Sequence, residues 1–487
     1  MITMTLAEVA AVTGGRLHRA TGDEQVTSVE FDSRKAAPGV LFLALPGERV
    51  DGHSFAAAAV AAGAAGVLAA REVDAPSVVV PPAAGAAGTY LAENDPDGAG
   101  AAVLAALAKL ARHSVDSLTD DSLEGLAVVG VTGSSGKTST KDLLAAVLAP
   151  LGPTVAPPGS FNNELGHPWT ALRADAGTRH LVLELSARGP GHIAALCRIA
   201  PPRIGVVLNV GRAHLGEFGS PEAIAQAKGE LVEALPAGGV AVLNADDPAV
   251  AAMATRTAAR VVPVGRGADA LVRAVDVTSD AGRARFRLVT PAGEADVALR
   301  LVGAHHVGNA LSAAAVALEL GATPAGVAES LSAAAPASRW RMEVADRADG
   351  VTVVNDAYNA NPESMRAALD ALADLGRDRR TWAVLGRMAE LGDSEAAAHA
   401  EVAGAAAELG VGTLVAVGEP GYGSAARHVT DPAAALALLR AEVAPGDVVL
   451  VKASRAVGLD RVADALLHPD VDPAPRDDRQ ENELVSR

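Results

Sequence analysis

Thr132-Gly133-Ser134-Ser135-Gly136-Lys137-Thr138 has the residue types and spacing to hold phosphate. Glycines let backbone N–H groups turn inward around an anion, a helix N-terminus adds its positive end, and a lysine brings a mobile ammonium to the outer phosphates. The Thr138 hydroxyl is suited to Mg²⁺. The strict pattern G-x-x-x-x-G-K-[ST] would need glycine at 131, where Val131 stands, so the match is to a variant, T-G-x-x-G-K-T. A bare glycine turn opening a helix is the bland alternative. The Gly-Lys-Thr triplet lies between the apolar run Leu126–Val131 and the helix-like run Lys141–Leu148, which favours ATP, wrapped by Gly133, Ser134, Ser135, Gly136, Lys137, Thr138 and Ser139.

Other groups could join that chemistry. Glu184 sits in Leu181-Val-Leu-Glu-Leu-Ser186, and a carboxylate among apolar neighbours costs free energy unless it is paired or binds metal. His214 follows the strand-like run Ile204–Val210; it is a less usual Mg²⁺ ligand, and a hydrogen-bonded loop histidine is the alternative. Arg188, in Ser186-Ala-Arg-Gly-Pro-Gly-His192, could fork onto carboxylate or phosphate, or lie on the surface. Lys228, by its local pattern alone, reads as a solvated helix lysine. Asn355-Asp-Ala-Tyr-Asn-Ala-Asn-Pro362 suits a ligand-facing loop as well as a plain turn.

These groups need a frame, and the chain alternates strand-like and helix-like runs almost throughout. Length argues for more than one core. Residues 1–97 read as a small N-terminal α/β domain, with a helix at Leu6–Val12, strands at Val26–Phe31, Val40–Leu45 and Ser77–Val80, and an Ala-rich helix with its C-terminal turn over Phe55–Ala70. The polar stretch Ala92–Gly100 marks a boundary. Residues 98–336 read as a central P-loop, parallel-sheet ATPase domain, with antiparallel strands appended between Leu271 and Val302. Residues 337–468 read as a C-terminal Rossmann-like domain, and 469–487, with little to bury, as a disordered tail. The fold class is α/β.

Composition excludes several classes. A net charge of −17 opposes attraction to nucleic acid or anionic membranes, and six Phe, three Tyr and three Trp are too few for base-stacking platforms. The single Cys197 forbids an intramolecular disulfide. The N-terminus lacks the basic and apolar regions of a secretory signal, so the cytoplasm is expected, with no stable membrane insertion.

Taken together the segments resemble the Mur ligases of bacterial cell-wall synthesis, specifically the MurF type, which adds D-alanyl-D-alanine. The marks are Asp32-Ser-Arg34, Leu45-Pro-Gly-Glu-Arg-Val-Asp-Gly-His53, the phosphate loop, Ser160-Phe-Asn-Asn163, Glu184–His192, Ala213-His-Leu215, Ala227-Lys-Gly-Glu230, His305-His-Val-Gly-Asn309, Asn355–Pro362, Gly386-Arg-Met-Ala-Glu-Leu-Gly392 and Val451-Lys-Ala-Ser-Arg455. Departures are Glu184-Leu-Ser for Glu-Met-Gly, Gly386-Arg-Met for Gly-Asp-Met, which leaves Arg387 without an assigned role, and Lys452-Ala-Ser-Arg455 for Lys-Gly-Ser-Arg.

The resemblance implies roles that the local patterns do not. Lys137, His214 and Lys228 would be catalytic. Lys228 would be carbamylated, making a cation into a carboxylate that holds a second Mg²⁺, with Thr138, Glu184 and His214 at the remaining metal positions. Asn309, Arg341 and Asp356 would contact nucleotide, Asp356 as the ribose-binding carboxylate. Ser33, Arg34, Asp51, Gly52, His53, Asn162, Asn163 and Arg188 would contact UDP-N-acetylmuramoyl-tripeptide. A monomer is expected. Rival readings are a relative that adds another amino acid, a folylpolyglutamate synthase, a nucleotide-dependent switch, or a noncatalytic homologue.

Overall fold

A computed structural model describes residues 1–47, 50–81, 95–119, 125–211 and 215–468. Three larger sheets follow one another along the chain. The first has five strands in the order Arg16–His18, Ser77–Val79, Gly66–Ala69, Val40–Leu43, Ser28–Glu30, all parallel except the first. Its central strands are buried on both faces, which parallel strands covered by helices require. The Ala-rich run corrects the sequence reading. Only Ala56–Ala61 is helical, and Gly66–Ala69 is a buried strand.

The second sheet has nine strands. From Thr154–Val155 it runs through His180–Glu184, Ala127–Thr132, Ile204–Val207, Val240–Asn244, Arg260–Gly265 and Val272–Asp280 with every neighbour parallel. Arg283–Thr290 and Gly293–Val302 then continue the same sheet as antiparallel hairpins, turning where Asp-Ala-Gly282 and Pro-Ala-Gly293 predict. Helices Lys137–Leu148 and His306–Glu319 pack on one face, their Leu, Val and Ala side chains sharing a core with Val129, Val131, Val206 and Val242.

The third sheet has the order Glu343–Asp346, Thr352–Asn355, Val448–Lys452, Thr381–Leu385, Thr413–Val417, Arg427–Val429, parallel but for its first edge strand. Val448–Lys452 returns between two earlier strands, so the strand order reverses there, and the crevice at such a switch point is where open α/β sheets place ligands.

The first two sheets share packing. Leu6 and Val9 of helix Leu6–Thr13, Leu107 and Leu110 of helix Ala99–Leu118, and Trp169 belong to one continuous core. At this seam Phe31 lies 5.6 Å from Trp169, which stacks on Phe161 at 4.7 Å, and the Trp169 indole N–H donates to the Val29 carbonyl at 3.0 Å.

Candidate active site

The phosphate loop leaves its strand at the centre of the nine-stranded sheet. Gly136 has φ 81°, and a Cβ there would stand 2.7 Å from Asn309 Oδ1, so a side chain is excluded by conformation and by space. Asn309, expected at the nucleotide, is thereby packed against the loop. Asn209, which drew no attention in the sequence, pins it. Its carbonyl accepts from Ser134 N–H at 3.2 Å, its Oδ1 accepts from Ser135 N–H at 3.0 Å, and its Nδ2 donates to the Ser135 carbonyl. Lys137 Nζ folds back to donate to the Gly133 carbonyl at 2.8 Å, and Ser139 lies in the first turn of the following helix.

Glu184 ends the neighbouring strand, in register with Val131, and is fully buried. Its Oε2 accepts from Asn162 Nδ2 at 3.2 Å and from Ser160 Oγ at 3.3 Å, while its Oε1 has no hydrogen-bond partner. Ser160 Oγ also lies 3.3 Å from Thr138 Oγ1. A buried carboxylate oxygen without a donor is costly unless a cation meets it, so Thr138 and Glu184 fit a hard divalent ion with oxygen ligands. His167 supports the strand from behind, its Nδ1 donating to the Glu184 carbonyl at 3.3 Å; burial lowers its imidazole to about 4, so it is neutral.

Lys228, on helix Pro221–Glu233, is buried and makes no hydrogen bond or ion pair to another described residue. This overturns the solvated reading. Burial, and then the nearby Lys137 ammonium, push its pKa well below the ordinary value. The unprotonated amine is the form that adds to carbon dioxide, and burial shifts Lys228 toward that form, so Lys228 fits carbamylation. Lys137 is lowered too, by burial first, while Glu184 opposes. Two residues along, Glu230 accepts from Gly191 N–H and Ala194 N–H, fixing the Gly189-Pro-Gly-His192 turn that carries Arg188. Arg188 donates its own backbone N–H to His192 Nδ1. His214 lies outside the described residues.

The first lobe holds two built elements. Asp32 caps the short turn Ser33–Lys35 and is gripped by the Arg34 fork at 2.9 and 2.8 Å. Asp51 Oδ1 accepts from the His53 backbone N–H at 2.9 Å and from its ring Nδ1 at 2.7 Å; His53 Nε2 accepts from Ala70 N–H, which fixes the tautomer. Burial would raise the Asp51 carboxyl, but the His53 and Arg71 bonds outweigh it and hold it at about 2. Gly52 is obligatory between them, since a Cβ would stand 2.6 Å from the Leu45 carbonyl. Asn163 Oδ1 accepts from Leu165 and Gly166 N–H, leaving its buried Nδ2 without a partner.

The third lobe meets the phosphate loop directly. Arg341 Nη2 donates to Thr138 Oγ1 at 3.3 Å, Asn361 Nδ2 to the Ser134 carbonyl at 3.4 Å, and Gly216 N–H of the middle lobe to the Glu390 carbonyl at 3.2 Å. Asp356 is buried, its Oδ1 accepting from Met342 N–H at 3.0 Å and its Oδ2 from Lys452 Nζ at 2.6 Å. Arg387 forks onto Glu395 at the surface, which gives this departure from the family pattern a partner within its own lobe. Glu395, His399 and Glu419 place ligand-type atoms within 4.8 Å of one another. They do not make a metal site, because His399 Nδ1 donates to the Glu395 carbonyl and its Nε2 accepts from Met388 N–H.

Known proteins match this arrangement from end to end. Residues 25–114 match the model "Mur ligase family, catalytic domain", 131–317 the "Mur ligase middle domain", and 340–455 the "Mur ligase, glutamate ligase domain". The UDP-N-acetylmuramoyl-tripeptide--D-alanyl-D-alanine ligase of Mycobacterium tuberculosis is 56% identical, across 96% of this chain and 99% of its own. That of Escherichia coli is 35% identical over the same shares. Among solved structures, MurF from Acinetobacter baumannii superposes with a TM-score of 0.82 at 30% identity, covering 96% of this chain and 99% of the other. MurF from Thermotoga maritima in complex with ADP gives 0.75 at 29%, covering 92% and 99%. Sequence and three-lobed α/β architecture agree: the chain belongs to the Mur ligase family.

Proposed function

We infer that the chain is an ATP-dependent ligase that joins D-alanyl-D-alanine to UDP-N-acetylmuramoyl-tripeptide, giving the pentapeptide precursor of peptidoglycan, ADP and phosphate. The observation that carries this is 56% identity to a ligase of that name over 99% of its length, so each of its lobes has a counterpart here.

A carboxylate does not acylate an amine at neutral pH, because its charge deactivates the carbonyl and oxide is a poor leaving group. Transfer of the γ-phosphoryl group of ATP to the tripeptide carboxylate gives an acyl phosphate. The dipeptide amine adds to its carbonyl carbon, loses a proton, and the tetrahedral intermediate expels phosphate. Lys137 and the loop N–H groups stabilise charge on the transferring group, and Arg341 approaches it from the third lobe. Seating of that lobe excludes the water that would hydrolyse the acyl phosphate.

The residue assignments are proposals. Gly133 to Ser139, Asn309, Arg341 and Asp356 bind nucleotide; Ser33, Arg34, Asp51, Gly52, His53, Asn162, Asn163 and Arg188 bind the UDP-linked donor. Thr138 and Glu184 would hold Mg²⁺, with His214 and carbamylated Lys228 serving a second ion. Bound Mg²⁺ supplies neutralising charge at the phosphates. The orphaned Glu184 Oε1 and the buried Lys228 amine, whose pKa burial lowers, support this set. A monomer is proposed. ATP and nucleotide-linked sugars place the reaction in the cytoplasm, and no helix among the described residues is long and apolar enough to cross a membrane. The domain limits 1–97, 98–336 and 337–468 are likewise proposed; 469–487 lies outside the described residues.

The test is phosphate release across a matrix of UDP-muramoyl-peptides and dipeptides, with mass spectrometry of the product. Release that requires both the tripeptide donor and D-alanyl-D-alanine, with pentapeptide formed, is expected. Equal release without a dipeptide would instead favour the nucleotide-switch reading.

A further inference from the structure

Arg341 reaches the phosphate loop from the third lobe, and an aromatic ring lies beneath it. Its guanidinium carbon stands 4.0 Å from the centre of the Tyr358 ring while Nη2 donates to Thr138 Oγ1. The buried Arg341 Nε makes no hydrogen bond among the described residues, so the Tyr358 ring, and not an acceptor at Nε, is the contact that holds the guanidinium on that side of Thr138. A cation laid on a phenol is attracted by the ring quadrupole without being neutralised, which leaves its full charge for a phosphate.

The backbone around Arg341 is bent to the same end. Trp340 and Met342 both lie in the left-handed region, with φ 58° and 51°. Such residues persist where their surroundings over-determine them. Here Tyr358 N–H donates to the Trp340 carbonyl at 3.3 Å, Asp356 takes Met342 N–H, and Glu343 takes Trp340 N–H at 3.1 Å. Tyr358 therefore holds this segment twice, once through its backbone and once through its ring. Its hydroxyl faces Ser160, the residue shared by Thr138 and Glu184.

We propose that Tyr358 is a positioning residue for phosphoryl transfer: its ring sets the plane of the Arg341 guanidinium against the phosphate loop when the third lobe is seated. The proposal rests on the ligase reading above. A carboxylate in that place would orient Arg341 and cancel its charge; an aliphatic side chain would leave the guanidinium free to swing.

The test compares the parent with Arg341→Ala, Tyr358→Leu, Tyr358→Phe and the double variant Arg341→Ala/Tyr358→Leu, each full-length and checked for an unchanged melting transition. Two quantities are read: kcat of the ligase reaction, and the affinity for a non-hydrolysable methylene ATP analogue relative to ADP, which needs no turnover. Arg341→Ala should lower kcat about 100-fold and remove the preference for the triphosphate. Tyr358→Leu should lower kcat about tenfold and weaken the same preference, Tyr358→Phe should recover most of both, and the double variant should be no worse than Arg341→Ala. Parent-like behaviour of Tyr358→Leu, a further tenfold loss in the double variant, or failure of Phe to recover function would each overturn the proposal. If Arg341→Ala itself behaves as the parent, the nucleotide role of Arg341 fails first, and the positioning role with it.

Discussion

Two regions of the cleft contain the same pair of residue types, an acid and a lysine, and use them in opposite ways. At the end of the third sheet Asp356 and Lys452 have found each other, and both carboxylate oxygens are engaged. In the middle lobe Glu184 keeps one oxygen unpartnered, and among the described residues the charged group that acts on Lys228 is another lysine, Lys137. Both lysines are buried and both are lowered by that burial, but among the described residues only Lys452 has a carboxylate pulling it back. A satisfied buried pair fixes a shape; an unsatisfied acid and an unpaired amine wait for something to bind or to modify.

The comparison fails most visibly if Lys228 is dispensable. Lys228→Ala should lower turnover by at least about 1,000-fold, a scale reached when charge stabilisation at a transferring group is lost. ¹³C-bicarbonate should give a carbamate resonance in the parent that the variant lacks, and a parent without that resonance would remove the modification from the account. Next in size, Lys452→Met should cost about 3–5 kcal/mol of stability in urea titrations by stranding Asp356, with Asp356→Asn in the same chain restoring part of it. A smaller effect of opposite sign is expected at Glu184: Glu184→Gln should abolish turnover yet leave stability unchanged or raised by about 1 kcal/mol, because it removes a buried carboxylate oxygen that has no donor.

The finest distinction is in pH. The folded-state pKa of Lys228 lies below its unfolded value, so between the two the unfolded chain holds the extra proton. Stability contributed at this site therefore rises with pH across that window and is lost as pH falls through it. In buffer freed of carbon dioxide, where the amine is unmodified, Lys228→Met should flatten that slope, read from urea midpoints against pH. An unchanged slope would mean that the amine is not buried in its neutral form.

The phosphate loop was legible because its chemistry is local: Gly, Lys and Thr at fixed spacing between an apolar run and a helix. The parallel alternation was equally plain. The Phe55–Ala70 run misled because alanine serves a buried strand as well as a helix, and only the breaks near Gly63 and Gly66 separate Ala56–Ala61 from Gly66–Ala69. The edge strands Glu343–Asp346 and Arg427–Val429 were missed because short, partly exposed strands carry little apolar pattern. Lys228 looked solvated because burial of one helix residue is decided by other segments. Asn162, expected at the donor, holds Glu184 through a contact spanning 22 residues, and Glu230 caps a turn 36 and 39 residues away, which no local spacing encodes.

The core shared by the first two sheets has a consequence for which donors can react. Helix Ala99–Leu118 and the Phe31–Phe161–Trp169 stack weld the lobe proposed to grip the uridine end to the lobe that presents the phosphates. The span between the two grips is then set by close-packed side chains and cannot stretch to suit the cargo. With those two grips as proposed, the enzyme would act as a calliper: a peptide stem one residue too short or too long would be anchored by its nucleotide end, with its terminal carboxylate out of reach of the transferring group.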